Sequence, residues 1–447
     1  MTLMARLTNL LEKKIASKEA RIGVVGLGYV GLPLAVEFAS KGYRTLGIDV
    51  DRSKVDSVNA RRNYIQDVDD KRFQSAVKKK LLTASETFDA IPEQDVIFIC
   101  VPTPFTKSKD PDISYIIDAT NKIAKGLRKN QVVILKSTTF PRTTEDYVQP
   151  ILEKAGLKAG TDFFLAFSPE RVDPGNKKWN TANTPVVVGG VNAESTDVAC
   201  AAMAAIVHKV IPVSNPRVAE MEKLLENIFR SVNIALVNEL ALLCDRMGGV
   251  NMWEVVEAAS TKPFGFMPFY PGPGIGGHCI LIDPYYLAWI ARQYDFQTNF
   301  ITLAAETNEN MPFYVKNMVV RELGRTPVPF GDAKILVLGI AFKRDVDDIR
   351  HSPALKVMEL LQAEGARNIS YNDPHVPTVS VEGKTYTSTP LGKSVIAEAD
   401  CVIITTDHSS YDYDLITKHA KLVIDTRNAT KRVIKGREKV VLLGDGR

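Results

Sequence analysis

In RIGVVGLGYVGLPLAVEFASKGYRTLGIDVD, residues 21 to 51, an apolar run, a cluster of glycines, an amphipathic stretch and a second apolar run follow one another without interruption. A strand, a tight turn, a helix and a second strand in that order force the two strands to run parallel, because the chain returns through the helix before pairing again. Gly26, Gly28 and Gly31 form G-x-G-x-x-G between the first strand and the helix, and Asp49 closes the second strand. DVIFICVP (95 to 102) and QVVILKST (131 to 138) are further short runs rich in β-branched residues. QVVILKST ends in polar residues, as parallel strands do where their C-terminal ends face a ligand.

From Asn215 the apolar period changes to that of a helix, through Val218, Met221, Leu225, Ile228, Val232, Ala235, Leu236, Leu240, Leu243 and Met247. Asn215 can cap it, Pro216 suits its first turn, and Gly248-Gly249 ends it. Some thirty residues at ~1.5 Å each make a rod of roughly 45 Å. Its second half, IALVNELALLC, is apolar on most sides, so a second surface is expected to cover it, and a homodimer is the simplest source of one. The last third repeats the first: KILVLGIAF (334 to 342) matches the opening strand and turn, ISYND (369 to 373) the second strand, and DCVIITTDH (400 to 408) the strand DVIFICVPT. The expected architecture is α/β, two Rossmann-like doubly wound domains joined by a helical region with a long central helix. Residues 1–213, with an N-terminal helical extension, form the first domain; residues 214–325 form the helical region with a cysteine loop; residues 326–447 form the second α/β domain.

Composition narrows the partners. Lysine and arginine number 56 against 52 acidic residues, a formal charge of +4 without the clustered excess of a nucleic-acid binder. The N-terminal MTLMARLTNLLEKKIASKEA scatters charge among its leucines, so it lacks the apolar core of a signal peptide. No stretch approaches the ~18 continuous apolar residues of a membrane span. Five cysteines with no C-x-x-C pair suggest neither a disulfide framework nor zinc. The expectation is a cytoplasmic protein with no membrane or nucleic-acid partner and no metal.

In its strand-to-helix context the first glycine turn points to a dinucleotide: the glycines let the backbone approach a pyrophosphate, and Asp49 accepts from ribose hydroxyls and repels a 2′-phosphate. NAD is therefore expected over NADP, with Arg52 the neighbouring residue that argues the other way. The second turn, G-I-A-F-K, lacks the later glycines and places Lys343 where the third would fall. That suits a smaller phosphate-bearing ligand such as a nucleoside diphosphate; the alternative is an exposed lysine on a degenerate repeat.

FYPGPGIGGHCILIDPYYL, residues 269 to 287, holds an unusual cysteine. Cys100 and Cys401 lie in strand patterns and Cys200 and Cys244 in helical ones, where a thiol is a small buried hydrophobe. Cys279 instead follows glycines at 272, 274, 276 and 277, which let the backbone pass close to a ligand. His278 can lower the thiol pKa or contact substrate, and Asp283 can serve as a base. A structural loop cysteine is the alternative, and a metal held by His278, Cys279 and Asp283 lacks a second ligand cluster. Lys223 and Asn227 are four apart and share a helix face. By themselves they read as exposed; beside a dinucleotide site a lysine can stabilise an oxyanion or move protons.

Taken together, these residues resemble the nucleotide-sugar 6-dehydrogenase family over nearly the whole chain from about residue 21. The resemblance rests on GLGYVG with Asp49, CVPTP (100 to 104), KST (136 to 138), SPERVDPG (168 to 175), EKLLEN (222 to 227), PGPGIGGHC with its DP, and GIAFKRDVDDIRHSP (339 to 353). It implies a UDP-sugar whose C6 alcohol becomes a carboxylate at the expense of two NAD+. By the family pattern Cys279 is the nucleophile, Lys223 and Asn227 assist oxyanion and proton handling, and Asp283, Glu170 and Thr138 arrange bases and water. Cofactor contacts fall on Gly26, Gly28, Tyr29, Val30, Gly31, Asp49, Thr103, Thr138 and Arg350. Substrate contacts fall on Glu170, Arg171, Val172, Lys223, Asn227, Arg230, Gly274 and Lys343. Gly-His-Cys and the DPYYL that follows look like the N-acetylhexosamine branch, although Leu281 departs from its pattern. UDP-N-acetylglucosamine is the expected substrate, ahead of the manno epimer and UDP-glucose. A two-electron hydroxy-acid dehydrogenase and a non-catalytic NAD sensor are the rivals, and neither uses Cys279.

Overall fold

Along strand β1 (Ile22–Val25), Val24 enters one apolar cluster and Val25 another, because successive side chains leave opposite faces of the sheet. The same alternation places Phe98 and Ile134 with Val24, and Ile97, Ile99, Val133 and Leu135 with Val25. A sheet buried on both sides needs strands that are apolar at every position, and the runs quoted above are. The computed structural model describes residues 3–106, 109–173, 175–176, 178–277 and 279–447. They divide into two units, Met1–Glu226 with Tyr285–Phe296, and Asn227–Pro284 with Gln297–Arg447.

In the first unit eight strands form one sheet. They are β1, β2 (Thr45–Ile48), β3 (Leu82–Ser85), β4 (Val96–Ile99), β5 (Val132–Leu135), β6 (Phe164–Phe167), β7 (Val186–Gly190) and β8 (Val210–Val213), in the spatial order β3-β2-β1-β4-β5-β6-β7-β8. Pairing is parallel except between β6 and β7, where Phe167 faces Gly189. The order reverses direction between β1 and β4, and ligands of such sheets bind at that switch, beyond the C-terminal ends of the strands. The N-terminal helix, Leu3–Ala16, buries Leu11 and Ile15 against this unit's core.

The second unit holds a five-stranded, wholly parallel sheet in the order β10-β9-β13-β14-β15, built from β9 (Lys334–Leu338), β10 (Asn368–Asn372), β13 (Cys401–Ile404), β14 (Val423–Asp425) and β15 (Val440–Leu442). A separate hairpin joins β11 (Thr378–Val381) to β12 (Lys384–Thr387). Its switch point lies between β9 and β13, so the chain carries the same device twice.

The long helix spans Pro216–Met247. The Asn215 side chain accepts from the Val218 amide at 3.1 Å, and Gly248, with φ of 74°, ends it. By length and composition it could cross a membrane. Its inward side, however, mixes Ala235 and Ala241 with buried, hydrogen-bonded Asn238, the pattern of a core helix in a folded unit.

Candidate active site

The first glycine turn is set by close backbone approach. Gly26 has φ of 92°, and a Cβ there would lie 2.6 Å from the Cys100 carbonyl oxygen; a Cβ on Gly31 would lie 1.7 Å from the Gly26 carbonyl oxygen. At Gly28 a Cβ would meet nothing within 4 Å. The turn is therefore packed tight except at the one glycine whose missing side chain leaves open space, and a pyrophosphate fits that cradle. Helix Gly31–Ser40 begins immediately after it, with half-buried Val30 before it and Tyr29 exposed. Buried Asp49 holds the turn in place: its Oδ2 accepts from the Leu27 amide at 2.7 Å and its Oδ1 from the Asp51 amide at 2.9 Å. Arg52 pairs with Asp56 and Glu86, each at 3.7 Å, so carboxylates already neutralise the cation that argued for NADP. Thr103 is buried, and its carbonyl accepts from the Tyr286 hydroxyl.

The SPERV loop in the same unit is anchored on two sides. Glu170 Oε1 accepts from the amides of Arg171 and Val172, both at 2.9 Å, and its Oε2 lies 3.5 Å from Nζ of Lys136. Arg171 pairs with Glu226 and, at 3.4 Å, with Glu222, and donates to the Pro185 carbonyl at 2.9 Å. Burial and the neighbouring Glu226 push the Glu222 carboxyl up to about 7; against burial, the Arg171 hydrogen bond holds Glu226 below the usual range. Arg171, expected at substrate, is thus committed to the long helix, on which Glu222 and Glu226 flank Lys223. Fully buried Glu220 pins the chain after KST by accepting from the amides of Arg142 and Thr144 at 2.6 and 2.9 Å. Thr138, on that stretch, is half-buried. Lys223 and Asn227, which read as exposed in isolation, are both buried, whereas Arg230 is exposed.

In the second unit Asn227 donates to Asp283 Oδ2 at 2.5 Å, and both side chains are buried. Cys279 opens its helix, Cys279–Ala291, one turn before Asp283. His278 lies outside the described residues, and so does the Cys279 side chain. The backbone leading to Cys279 is firmly held. The Gly272 amide donates to Asn238 Oδ1 at 2.9 Å, and the Gly277 amide to the Arg350 carbonyl at 2.8 Å. Gly274, with φ of 127°, leaves only 3.2 Å between a would-be Cβ and the Asn308 carbonyl oxygen. A Cβ on Gly276 would stand 2.6 Å from that of Phe342. The glycines let this loop press against the GIAFKRDVDDIRHSP segment. Arg350, expected at the cofactor, has its guanidinium on Asp348, with Nη2 at 2.7 Å.

Burial accounts for the other thiols. It pushes Cys100 up to about 12 and Cys200 up to about 11, and raises Cys244 and Cys401 as well, so none of these four is a ready thiolate.

The second glycine turn copies the first and then diverges. Gly339 has φ of 79°, and a Cβ there would lie 2.4 Å from the Thr406 carbonyl oxygen, as Gly26 lies against Cys100. Asp373, the counterpart of Asp49, is consumed internally: Oδ2 accepts from Ile340 and Ala341 amides at 2.7 and 3.0 Å and from His408 Nε2 at 3.0 Å, and Oδ1 accepts from the His375 amide at 2.8 Å. That carboxylate has little left for a ribose. Asp345, His375 and His408 offer ligand atoms within 4.8 Å of one another. Yet His408 Nδ1 already accepts the Asp345 amide at 3.0 Å, and Asp345 accepts from Ser409 Oγ at 2.7 Å, so the group works as a latch on the turn that carries Lys343.

Sequence reasoning gave no role to Arg427 or Lys136. Arg427 follows β14; its Nε donates to the Thr405 carbonyl at 3.0 Å, and Gly272 has no Cβ to collide with its Nη1. The signal was a charge directly after an apolar strand, at the end where ligands bind.

Three sequence profiles match the chain in succession. The UDP-glucose/GDP-mannose dehydrogenase family NAD binding domain covers residues 20–214, the family's central domain 217–310, and its UDP binding domain 336–432. A UDP-N-acetyl-D-mannosamine dehydrogenase from Pyrococcus horikoshii is 36% identical over 417 residues, spanning 92% of this chain and 96% of that protein. A UDP-N-acetyl-D-glucosamine 6-dehydrogenase from Pseudomonas aeruginosa is 35% identical over 404 residues, spanning 88% and 92%. The solved structure of the P. horikoshii UDP-D-ManNAc dehydrogenase superposes with a TM-score of 0.86 at 34% identity, covering 95% of this chain and 99% of that one. With a glycine turn open only at Gly28, a second turn whose acid is already spent, and these likenesses running almost end to end, the chain belongs to the UDP-glucose/GDP-mannose dehydrogenase family, NAD-dependent oxidoreductases.

Proposed function

We propose that the protein oxidises the C6 hydroxymethyl group of a UDP-N-acetylhexosamine to the carboxylate through a covalent intermediate on Cys279. The observation that carries this reading is the buried Asn227 to Asp283 hydrogen bond, one helical turn beyond Cys279. It fastens the start of the cysteine's helix to the long helix at Asn227.

NAD, when bound at the Gly26–Gly31 turn, accepts hydride, and two equivalents are used per sugar. Loss of the first hydride from the primary alcohol leaves an aldehyde, whose sp2 carbon has no second hydride to give until a nucleophile adds. The Cys279 thiolate adds, the thiohemiacetal oxygen carries developing negative charge, and Lys223 and Asn227 are donors for it, at roughly 3 kcal/mol for each well-placed one. Oxidation of the thiohemiacetal gives a thioester, and water, with Glu170 or Asp283 as proton acceptor, releases the acid and the thiolate. The family's UDP binding domain, with Lys343 and the second glycine turn, takes the nucleotide.

The Gly-His-Cys loop favours an N-acetylhexosamine over glucose, and the Pseudomonas aeruginosa relative named for UDP-N-acetyl-D-glucosamine supports the gluco epimer. The archaeal relative named for UDP-N-acetylmannosamine supports the manno epimer as a second reading. A panel of UDP-sugars, followed by absorbance of reduced nicotinamide, decides between them. Two NADH per sugar are expected with one of the N-acetylhexosamines; one per substrate would identify a two-electron dehydrogenase, and none a sensor.

The long helix also supports a homodimer. Val218, Met221, Leu225, Phe229, Leu236, Leu243 and Met247 are exposed at intervals of three, four or seven residues, and Leu225 is 64% exposed. Such a stripe is costly in water and self-complementary about a twofold axis. Light scattering at micromolar concentration is expected to give twice 49.3 kDa, and Leu225→Glu to halve it while NAD binding survives. A monomeric wild type would end the dimer reading.

A further inference from the structure

We infer that Lys136 is a positioning residue for the hydrolytic half of the reaction, acting through Glu170. Strand β5 ends in the apolar run Val132–Leu135, and the next residue is a lysine whose side chain is 1% exposed. Its ammonium donates to the Pro169 carbonyl at 3.3 Å and stands 3.5 Å from Glu170 Oε2. The neighbouring Cys100 thiol, kept neutral by burial, supplies no counter-charge. Burying an ammonium costs several kcal/mol, and an apolar side chain of the same length generally packs as well or better, so stability does not explain a lysine here.

What the lysine does explain is the orientation of Glu170. One carboxylate oxygen is held by two backbone amides and the other is drawn toward Lys136, which leaves the group a single orientation. A proton acceptor must be aimed before it can act, and a misplacement of about 1 Å can cost on the order of a hundredfold in rate. With Glu170 rather than Asp283 as the proton acceptor, the oxygen of water bonds the thioester carbon. The carbon–sulfur bond breaks with its electron pair returning to the Cys279 sulfur, and one proton of the water passes to the Glu170 carboxylate and then to solvent. The inference rests on the thioester of the preceding reading.

Rapid mixing of the full-length protein with NAD and its preferred UDP-N-acetylhexosamine tests it. Lys136→Met is expected to release two NADH per active site at close to the wild-type rate. Steady turnover should then be on the order of a hundredfold slower, with sugar attached to Cys279 in the intact mass and NAD affinity unchanged. Lys136→Arg, which restores the charge, should recover turnover to within about tenfold, and Lys136→Met combined with Glu170→Gln should be no slower than the worse single variant. A Lys136→Met enzyme whose first turnover slows as much as its steady rate, or which accumulates no adduct, or whose effect multiplies with that of Glu170→Gln, overturns the inference. Wild-type stoichiometry is read in the same experiment. A count other than two NADH per sugar overturns the covalent reading itself, whereas two per sugar without adduct in Lys136→Met removes only the role of Lys136.

Discussion

A Cys279→Ser enzyme is expected to form acid from the UDP-sugar at least roughly 10⁴-fold more slowly than wild type, the scale on which covalent nucleophiles are lost, with NAD affinity within about twofold of normal. The exchange replaces one atom, at a position whose backbone is fixed by Gly272 and Gly277 hydrogen bonds that a serine leaves intact. The chemistry does not survive the change. A thiol is partly ionised near neutral pH and strongly nucleophilic, whereas an alcohol is neither without a dedicated base. No other described thiol can substitute, since burial holds Cys100, Cys200, Cys244 and Cys401 in the neutral form. Mass analysis of the product together with NADH counting makes the measurement. A serine variant that still makes acid at the wild-type rate would mean that the aldehyde is oxidised without passing through sulfur.

Alanine at two glycines of the same turn is expected to give opposite kinds of damage. At Gly31 the new Cβ would lie 1.7 Å from the Gly26 carbonyl oxygen, so the turn or the helix must move. Overpacking of this sort costs 1–3 kcal/mol or more, and Gly31→Ala should lose both thermal stability and NAD binding. At Gly28 the Cβ meets no protein atom within 4 Å. Gly28→Ala should therefore melt like wild type, yet bind NAD roughly 10- to 100-fold more weakly, about 1.4 to 2.8 kcal/mol, because the methyl group occupies the space assigned to the pyrophosphate. Titration of nicotinamide binding beside a melting curve separates the two. If Gly28→Ala binds NAD as tightly as wild type, the cofactor does not use this cradle.

The two glycine turns show how far sequence patterns reach. G-x-G-x-x-G followed by Asp49 was legible because each glycine answers a local demand, a positive φ at Gly26 or a close carbonyl at Gly31, and local demands leave local traces. Loss of the later glycines from G-I-A-F-K argued against a second dinucleotide, and the profile matched over that unit is the family's UDP binding domain. Not visible was the occupation of Asp373 by His408, thirty-five residues away in the chain, as well as by the turn. Lys223 and Asn227 were placed on one face by their spacing, but whether that face was wet or buried depended on elements far along the chain, and it is buried. Lys136 was visible only as the first residue of KST after an apolar strand and was given no role, because an ammonium's meaning comes from the carboxylate it meets.

By itself the sequence determined the elements and their order: unbroken apolar runs set the strands, the helical period set the long helix, and glycine spacing set the turns, since these follow from torsion angles and side-chain direction within a few residues. The tertiary structure decided which polar groups are taken out of water and with whom they pair, Asn227 with Asp283, Glu170 with Lys136, Arg171 with Glu222 and Glu226. Those choices depend on residues distant in the chain, and desolvation gives a charge its energetic weight only once packing has closed around it.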